Sequence, residues 1–546
     1  MIPQRQRPLA PWLIAIFGTI LLSHFLIFTN PPLARTEVHR ALVAIDALDH
    51  GNWIVTRILD EVYLRKPPFH PWTLAASAAI FDTREPWVFR FPSILAAATS
   101  ATWLAWLGSR WFGRRAGIIT GFAFLWLIPL WAQSRSAEID ALNTTLALIT
   151  WGCLLELTIG RPRHAWRWTL LATLSLAAAL LSKGPAALTL VLPALFAPLL
   201  TGIPIRSLLR PAILPILPIA AAIAAAWPFT VELYAAQTST EVDQAAIAEV
   251  IDRFAAVLDP AHMLNVLAMP FELLVFALPV SLVAGLALLP SIRQRFTTNR
   301  RHRLATLLIA IGLSGVTSVL FLLENPRYGY ILLPPLCLPA AAILSHWLSG
   351  RLPAWVHLHA SRTAVILALL AFAGAAAVIW QLDAIARSAA IFVLALTLPI
   401  LLFALVRARQ IQPAGWLIVA TATLAASSTG YTLIRADNRV TLSSVAYAQT
   451  LKQNDNLSPG TTVITGRLWN DKPGLFYYAD LQPRQRLDLA LNQTPSDLSD
   501  LYLLYTRERT ALEATYPGQV EPILTIDQPR LTAHLVRLHA SPADTP

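Results

Sequence analysis

The sequence has 546 residues, of which 55% are hydrophobic and only 13% are charged. This balance excludes an ordinary soluble protein and is typical of a chain whose solvent is a lipid bilayer. The net charge is +11, but the excess of Lys and Arg lies in short loops between apolar segments, so it indicates membrane topology and no nucleic-acid partner. Cys153 and Cys337 both lie inside apolar runs, which supports neither a disulfide framework nor a thiolate metal site.

Apolar runs of about 18 to 25 residues, each long enough to cross the bilayer as a helix, recur along most of the chain. The first follows Arg5 and Arg7 and is predicted to be a retained anchor, because it is long and further spans follow. Ser182–Pro185 interrupts one long apolar stretch as a turn or a kink. Read as a turn, it gives thirteen predicted spans, near 8–29, 87–108, 115–133, 139–159, 166–182, 185–202, 211–230, 266–290, 304–323, 329–347, 363–381, 388–406 and 414–434.

The loops test this count, because cytoplasmic loops are rich in Lys and Arg. Alternating the spans from a cytoplasmic N-terminus places the Arg-rich loops on one side, and none of these loops contains Asp or Glu. Apart from Glu156, the acidic residues before residue 437 lie in or beside the opposite, outer loops. We therefore expect a multi-pass protein of the cytoplasmic membrane. The inner residues are Arg110, Arg114, Arg115, Arg161, Arg163, Arg167, Arg206, Arg210, Arg293, Arg295, Arg300, Arg301, Arg303, Arg351, Arg362, Arg407 and Arg409.

The long segments lie on the outer side, where loops commonly carry function. A transmembrane domain of residues 1–436 has large outer loops at 30–86 and 231–265. Within the first, Glu37–Leu48 has helical apolar spacing and is predicted to lie along the membrane surface, ending near Gly51. Residues 437–546 are predicted to form a small soluble extracytoplasmic α/β domain, with a helix at 442–451 and extended segments at 461–465, 501–505, 520–526 and 533–538.

Several motifs follow one another in a recognisable order. They resemble those of the bacterial relatives of protein O-mannosyltransferases, including the lipid A aminoarabinose transferase. The order and spacing of the motifs match over about residues 30–340. Each motif alone is weak evidence for the resemblance, but the whole set is specific. The motifs are Thr36–Ala41, Gly51–Trp53, Tyr63–Pro68, Arg90, Asp140, Ser182–Gly184, Glu249–Phe254 and Arg327–Leu332.

The resemblance implies an all-α polytopic GT-C fold with about thirteen transmembrane helices. It also implies an inverting glycosyltransferase that moves a hexose or pentose from a polyprenyl-phosphate donor to a lipid, glycan or protein acceptor outside the cytoplasm. Such chemistry needs a carboxylate that takes the proton of an acceptor hydroxyl. The expected candidates are Glu37 and Asp140. The family usually has an Asp-Glu pair where this chain has Thr36-Glu37, so the familiar catalytic Asp is absent. Three alternatives follow: Glu37 replaces that Asp as the base, Asp140 is the base, or the protein is inactive. Each acid can instead be a helix-start residue that interacts with the helix dipole.

The departing lipid phosphate calls for fixed cations. Lys66 is held by the two prolines that follow it, and it is the first candidate. Further candidates for the donor phosphate are Lys183, Arg253, Arg327 and Tyr330. Each has another possible role: Lys183 can be a turn residue, Arg253 can pair with Glu249 one helical turn away, and Arg327 and Tyr330 can anchor a span at the membrane interface. Glu37 and Asp140 are hard oxygen ligands that suit a divalent metal, but no metal site is assigned and the histidines show no zinc spacing.

Other functions share parts of this pattern. A polymerase or ligase of polyprenyl-linked glycans would have the same charged outer loops and lipid donor. A lipid-carrier transporter or flippase would also have many spans, but it typically carries ionisable groups near the midplane and repeated halves. A catalytically inactive relative that serves as a scaffold is a further alternative, because Thr36 replaces an acid.

Overall fold

The structure is a computed structural model in which helices dominate and a small sheet lies near the C-terminus. Its core is built by apolar helices, and several helices begin at Pro or end at Gly, as helix sequences predict. Arg253 lies outside the described residues. The structure describes residues 8–26, 32–33, 36–58, 61–160, 162–238, 260–321, 326–353, 355–356, 444–454, 457–458, 461–465, 473–479, 481–486, 501–528 and 531–538.

The helices are numbered in chain order over these residues. Helices α4 and α8 show how local sequence sets the bounds: Pro86 opens α4, and Gly184, with a φ of 65°, ends α8. The bounds are α1 Ala10–Leu26, α2 Thr36–His50, α3 Phe69–Phe81, α4 Pro86–Phe112, α5 Arg114–Ala123, α6 Ile128–Gln133, α7 Ile139–Leu155, α8 Ala165–Lys183, α9 Leu188–Leu200, α10 Ile216–Thr238, α11 Pro260–Phe276, α12 Val280–Gly285, α13 Pro290–Arg293, α14 Thr298–Leu320, α15 Pro326–Gly329, α16 Cys337–Trp347, α17 Ser444–Lys452, α18 Pro473–Ala479 and α19 Thr506–Thr515.

Five stretches of the described chain are long and apolar enough to cross a bilayer, and a bent pair of helices can form a sixth. The expected thirteen spans are therefore not confirmed. The predicted spans near 363–381, 388–406 and 414–434 lie outside the described residues. The five are Ile139–Gly160, Ala165–Leu200, Ile216–Tyr234, Thr298–Leu320 and Arg327–Trp347, and the pair is Met263–Phe276 with Val280–Leu288.

The apolar segment Ala165–Leu200 reverses direction at Lys183–Gly184. Lys183 reaches Asp140, at the N-terminal end of α7. After the turn, Thr189 O accepts a hydrogen bond from Thr317 at 2.7 Å, and Thr201 lies 3.0 Å from Thr306. Helix α9 therefore runs back along α14. Of the two interpretations of Ser182–Pro185 made from sequence, the turn is the one observed.

The Arg-rich loops meet at one end of the helical bundle, which we call the basic end. Arg110 pairs with Glu156 at 2.9 Å, and Arg303 donates to the Arg110 carbonyl at 3.3 Å. Arg210 donates to the Leu157 carbonyl at 3.1 Å. The loops that carry Arg110, Arg210 and Arg303 thus lie together, and Asp140 and Lys183 lie at the opposite end of the same helices.

Small and hydroxylated side chains let the helices approach closely. A Cβ on Gly117 would lie 2.4 Å from the Ala105 carbonyl of α4, so α5 packs backbone to backbone against it. Ser100 of α4 bonds Thr145 of α7 at 2.8 Å, and Thr150 bonds Ser175 of α8 at 2.8 Å. Lipid offers no hydrophobic driving force between helices, so such packing and hydrogen bonds hold the bundle together.

Prolines break three predicted spans into shorter pieces. The span near 115–133 becomes α5, a 3₁₀ turn at Phe124–Trp126 and α6, whose first turn contains Pro129. The span near 266–290 bends by 98° between α11 and α12. The span near 329–347 has two 3₁₀ turns before α16. Proline lacks an N–H and clashes with the preceding turn, so regular helix stops at these sites.

The outer segment between α1 and α4 is covered by the C-terminal part of the chain. Apolar residues of α2, such as Val38 and Val43, share one buried cluster with Leu451 and Phe476 of α17 and α18. The Leu33 N–H donates to the Tyr478 hydroxyl at 2.6 Å. Helix α2 was predicted at a membrane surface, but its apolar face packs against protein.

The C-terminal sheet has five strands in the order β4-β3-β5-β7-β6. Strand β3 is parallel to β4 and β5, while β7 is antiparallel to β5 and β6. Helix α19 packs its Leu512 against the face that carries Tyr502 and Leu504. A small α/β unit is thus confirmed, and the boundary at residue 437 stays a prediction. The strands are β1 Arg57–Ile58 and β2 Glu61–Val62, which form a separate hairpin, β3 Thr462–Thr465, β4 Gln482–Arg486, β5 Leu501–Tyr505, β6 Val520–Gln528 and β7 Leu531–Leu538.

Candidate active site

Glu37 forms a buried ion pair at the start of α2. Arg90 of α4 donates from Nε to Oε1 and from Nη2 to Oε2, both at 3.0 Å. The Ala137 N–H adds a third bond to Oε1 at 2.9 Å. The Glu37 side chain is only 2% exposed and that of Arg90 is 0% exposed. Both carboxylate oxygens therefore carry strong donors, and the pair joins α2, α4 and the segment before α7.

Glu138 lies beside this pair and turns its carboxylate the other way. It is the N-cap residue of α7, with extended backbone (φ −108°, ψ 149°), yet its side chain caps no N–H of its own helix. Instead, Oε1 accepts a hydrogen bond from the Thr36 hydroxyl, and Oε2 lies 2.9 Å from Arg327 Nη2. Residue 36 and Glu138 therefore share one small region at the N-terminal ends of two helices.

Asp140 is held between two cations. Arg327 donates to Oδ2 from Nε at 2.9 Å and from Nη2 at 2.8 Å. Lys183 pairs with Oδ1, and its ammonium lies 4.4 Å from the Tyr328 ring centroid. The Asp140 side chain is 5% exposed, whereas that of Arg327 is 38% exposed. Arg327 is thus the cation of this group that a ligand can reach most easily.

The segment between α1 and α4 carries two more cations. Arg40 of α2 is buried, and its Nη1 donates to the Tyr63 hydroxyl at 3.1 Å. Lys66 is half-buried and follows Tyr63 by three residues, just before α3. Tyr330 is also half-buried and packs edge-on against Phe276, with ring centroids 6.3 Å apart.

His70, near the start of α3, is buried within electrostatic reach of the same groups. Burial is the largest cause of a lowered pKa and Arg40 adds to it, while Asp140 and the Glu138 backbone oppose the shift; the net result lowers the pKa of His70 from 6.5 to about 3. The imidazole is therefore neutral at physiological pH, because the effect of Asp140 is smaller than that of the loss of water.

The buried neutral His70 predicts an acid-sensitive fold. Its pKa is lower in the folded chain than in the unfolded chain, so the unfolded chain takes up the proton first as the pH falls. The associated stability is fully present above pH 6.5 and is lost as the pH falls towards 3. We expect wild type to lose about 1.4 kcal/mol more per pH unit than His70→Gln within this window. Denaturation in detergent at pH 7, 6 and 5 measures the difference, and parallel curves for the two proteins would contradict it.

The structure brings together three of the side chains singled out in the sequence: Asp140, Lys183 and Arg327. Glu37 lies next to Thr36 in the same region but faces Arg90. Glu138, Arg90, Arg40 and His70 join the site without having been chosen as candidates. A signal existed for Glu138, because it precedes Asp140 by two residues just before an apolar stretch, but its contact with Thr36 spans 102 positions.

Cations occupy the places that a divalent metal would need. Glu37 binds Arg90, and Asp140 binds Lys183 and Arg327. Over the described ranges, no group of three or more His, Cys, Asp and Glu side chains is arranged to hold a metal ion. The arrangement of these residues thus fits an anion that competes for the cations better than it fits a metal.

Taken together, these residues form a polar cluster at the end of the bundle opposite the basic end. We call Thr36, Glu138, Asp140, Lys183 and Arg327 the acidic-end cluster. It offers carboxylates that can take a proton and two cations that can stabilise a departing phosphate. Apolar helices surround it, so a substrate with a lipid tail can place its polar head there.

Parts of the chain match known proteins in sequence. Residues 65–231 match the family model described as dolichyl-phosphate-mannose-protein mannosyltransferase. The chain is 28% identical over 131 residues, 23% of its length, to the undecaprenyl phosphate-alpha-4-amino-4-deoxy-L-arabinose arabinosyl transferase of Enterobacter sp. (strain 638). It is 26% identical over 352 residues, 63% of its length, to the enzyme of the same name from Pectobacterium carotovorum. It spans 24% and 61% of the lengths of these two relatives.

The fold extends the similarity over nearly the whole chain. The crystal structure of ArnT from Cupriavidus metallidurans in the apo state superimposes with a TM-score of 0.69 at 16% identity, covering 96% of this chain and 98% of ArnT. The same protein bound to undecaprenyl phosphate gives a TM-score of 0.68 at 15% identity, with the same coverage. The chain therefore has the GT-C fold, and the family resemblance drawn from its motifs is confirmed.

Proposed function

We propose that this chain is a glycosyltransferase of the GT-C family, a proposal that its motif order and its fold support. It moves a sugar from a polyprenyl-phosphate donor to a lipid, glycan or protein acceptor. The acidic-end cluster carries the proposal, because it sets two carboxylates against two cations within a bundle of apolar helices. The relatives named as arabinosyl transferases, and the ArnT structure with undecaprenyl phosphate, support the lipid donor.

In this proposal, the donor phosphate binds Arg327 and Lys183, displacing part of their contact with Asp140. The exposure of Arg327 supports this role, since its side chain is 38% exposed while its acidic partner is 5% exposed. Lys66, Tyr330 and Arg253 are proposed to complete the phosphate site. As the glycosidic bond to the phosphate breaks, these cations stabilise the negative charge that develops on the leaving oxygen.

The two carboxylates named from the sequence take different roles in this proposal. Glu37 positions the start of α2, since Arg90 and the Ala137 N–H already engage both of its oxygens. Asp140 orients Lys183 and Arg327 and yields them to the phosphate when the donor arrives. Transfer in one displacement inverts the anomeric centre and needs a proton acceptor for a hydroxyl nucleophile.

We also propose that the protein is a multi-pass protein of the cytoplasmic membrane with about thirteen spans. Its N-terminus and basic end face the cytoplasm, as the positive-inside rule predicts. The acidic-end cluster and the C-terminal domain then face outward. The meeting of Arg110, Arg210 and Arg303 at one end of the helices supports this orientation.

The test is transfer of a labelled sugar from an undecaprenyl-phosphate donor by the full-length protein in membranes. The first probe is the 4-amino-4-deoxy-L-arabinose donor named in the relatives, followed by undecaprenyl-phosphate hexoses. Lipid A, glycolipids and glycoproteins from a deletion strain identify the acceptor. We expect a label that is transferred by wild type and reduced at least about 10²-fold by Asp140→Asn. Equal transfer by wild type and Asp140→Asn would remove the mechanism, and no transfer from any such donor would remove the function.

A further inference from the structure

Glu138 is the carboxylate of the acidic-end cluster whose contacts leave it best placed to accept a proton. Glu37 receives two bonds from Arg90 and one from a backbone N–H. Asp140 receives two bonds from Arg327 and one from Lys183. Glu138 has the Thr36 hydroxyl on one oxygen and a share of the Arg327 guanidinium on the other. The Thr36 hydroxyl on Glu138 Oε1 is a neutral partner that can turn away, whereas each carboxylate oxygen of Glu37 and Asp140 has a cationic donor.

The solvent exposure of the three side chains also favours Glu138. The exposed fraction of the side chain is 2% for Glu37, 5% for Asp140 and 10% for Glu138. Thr36, the neighbour of Glu138, is itself exposed. An acceptor that approaches over residue 36 therefore meets Glu138 before it meets the other two carboxylates.

The backbone at Glu138 also indicates a role outside its own helix. The preferred N-cap side chains, Ser, Thr, Asp and Asn, are short enough to accept an N–H from the first turn, and that bond is worth about 0.5–2 kcal/mol. Glu138 is longer and makes no such bond, and its carboxylate points across to α2 and to Arg327. The side chain therefore lies where residue 36 faces the cluster.

We propose that Glu138 is the proton acceptor of the transfer reaction and that it supplies the carboxylate which Thr36 lacks. The inference rests on the proposed function and deepens it, because a base is needed for a hydroxyl acceptor. The acceptor oxygen forms a bond to the anomeric carbon while the bond from that carbon to the phosphate oxygen breaks. The electron pair of the broken bond leaves with the polyprenyl phosphate, next to Arg327, and the hydroxyl proton passes to Glu138 Oε1.

Thr36 has a defined part in this arrangement. Its hydroxyl donates to Glu138 Oε1 in the absence of substrate, and the acceptor hydroxyl takes over that bond when it binds. An aspartate at position 36 would place a carboxylate next to the same oxygen. The carboxylate can therefore be moved by mutation from position 138 to position 36, because the two side chains are in contact.

The test compares Glu138→Gln, Thr36→Asp and the double variant Thr36→Asp/Glu138→Gln with wild type in full-length protein. Transfer is measured from labelled undecaprenyl-phosphate sugar, and binding of undecaprenyl phosphate is measured separately by its effect on thermal denaturation. We expect Glu138→Gln to lower kcat by about 10²- to 10⁴-fold with undecaprenyl phosphate binding retained. The double variant should regain at least about tenfold, because a base is present again.

Glu85→Gln serves as the control, since Glu85 is an exposed acid at the N-cap of α4 and should transfer at the wild-type rate. A merely structural Glu138 would lower the denaturation temperature and would not be rescued by Thr36→Asp. Activity of Glu138→Gln within threefold of wild type, or a folded double variant no faster than Glu138→Gln, would overturn the assignment. Wild type that transfers no sugar from these donors would overturn the proposed function and this assignment with it, so the two failures are distinguishable.

Discussion

Replacing Arg327 with methionine is expected to lower kcat/KM for the polyprenyl-phosphate donor by about 10²- to 10³-fold. The guanidinium lies 2.9 Å from Glu138 and 2.8 Å from Asp140. Its loss removes the most accessible cation from the leaving phosphate and leaves two carboxylates facing each other. Like charges at such close range oppose the approach of a third anion. The measurement is initial-rate transfer against donor concentration in membranes of the variant.

Two further variants show whether charge or shape matters. Arg327→Lys keeps the charge but cannot donate two parallel bonds, so it should recover only part of the loss. Arg206→Met removes an exposed cation from a loop in the Arg-rich set and should leave transfer unchanged. If Arg327→Met is folded and transfers within threefold of wild type, Arg327 does not contact the phosphate.

Replacing Arg90 with methionine is expected to cost about 3 to 5 kcal/mol of folding free energy. The change leaves Glu37 buried, with only the Ala137 N–H among the donors described above. A carboxylate at 2% exposure that has lost its guanidinium partner is poorly solvated where it lies. Denaturation by sodium dodecyl sulfate in mixed micelles measures the free energy of unfolding for wild type and variant.

The exposed ion pair of Arg84 and Asp49 is a matched control. Its side chains are 51% and 33% exposed, and such pairs contribute at most about 1 kcal/mol. Arg84→Met should therefore lower stability much less than Arg90→Met. The double variant Glu37→Met/Arg90→Met should recover only part of the loss, because about 1 to 3 kcal/mol remains for the orphaned Ala137 N–H and the Pro32 carbonyl has also lost its Arg90 donor. Equal losses for Arg84→Met and Arg90→Met would contradict the buried-pair account.

Periodicity and breakers predicted the regular elements of this fold well. Helix α2 was expected at 37–48 and forms at 36–50, and four of the strands in the C-terminal sheet lie where extended segments were predicted. Hydropathy failed where proline interrupts an apolar run. Around Pro129 and Pro334–Pro335 the side chains are apolar but the backbone is not regular α-helix. A hydropathy window responds only to the side chains and therefore predicts one continuous span.

The candidate site was predictable residue by residue, but its pairings were not. Asp140, Lys183 and Arg327 were each chosen from motifs, although 43 and 187 positions separate their hydrogen-bonded pairs. Nothing local in the sequence shows that Glu37 faces Arg90 or that Glu138 faces Thr36. Those directions depend on how the first residues of α2 meet α4 and the segment before α7, which is a property of the whole bundle.

The cover that the C-terminal part of the chain places over α2 has a consequence for biogenesis. Leu33 and Tyr478 are hydrogen-bonded across 445 positions, so ribosome and insertion machinery deliver the two partners at very different times. Helix α2 leaves the translocon with Val38 and Val43 uncovered, and Leu451 and Phe476 reach them only after the intervening spans have been inserted. A nascent chain therefore holds the acidic-end cluster before this cover exists. Because the same buried cluster includes Ala533 and Leu535, the proposed transfer activity should appear late in synthesis, after residue 535 has emerged.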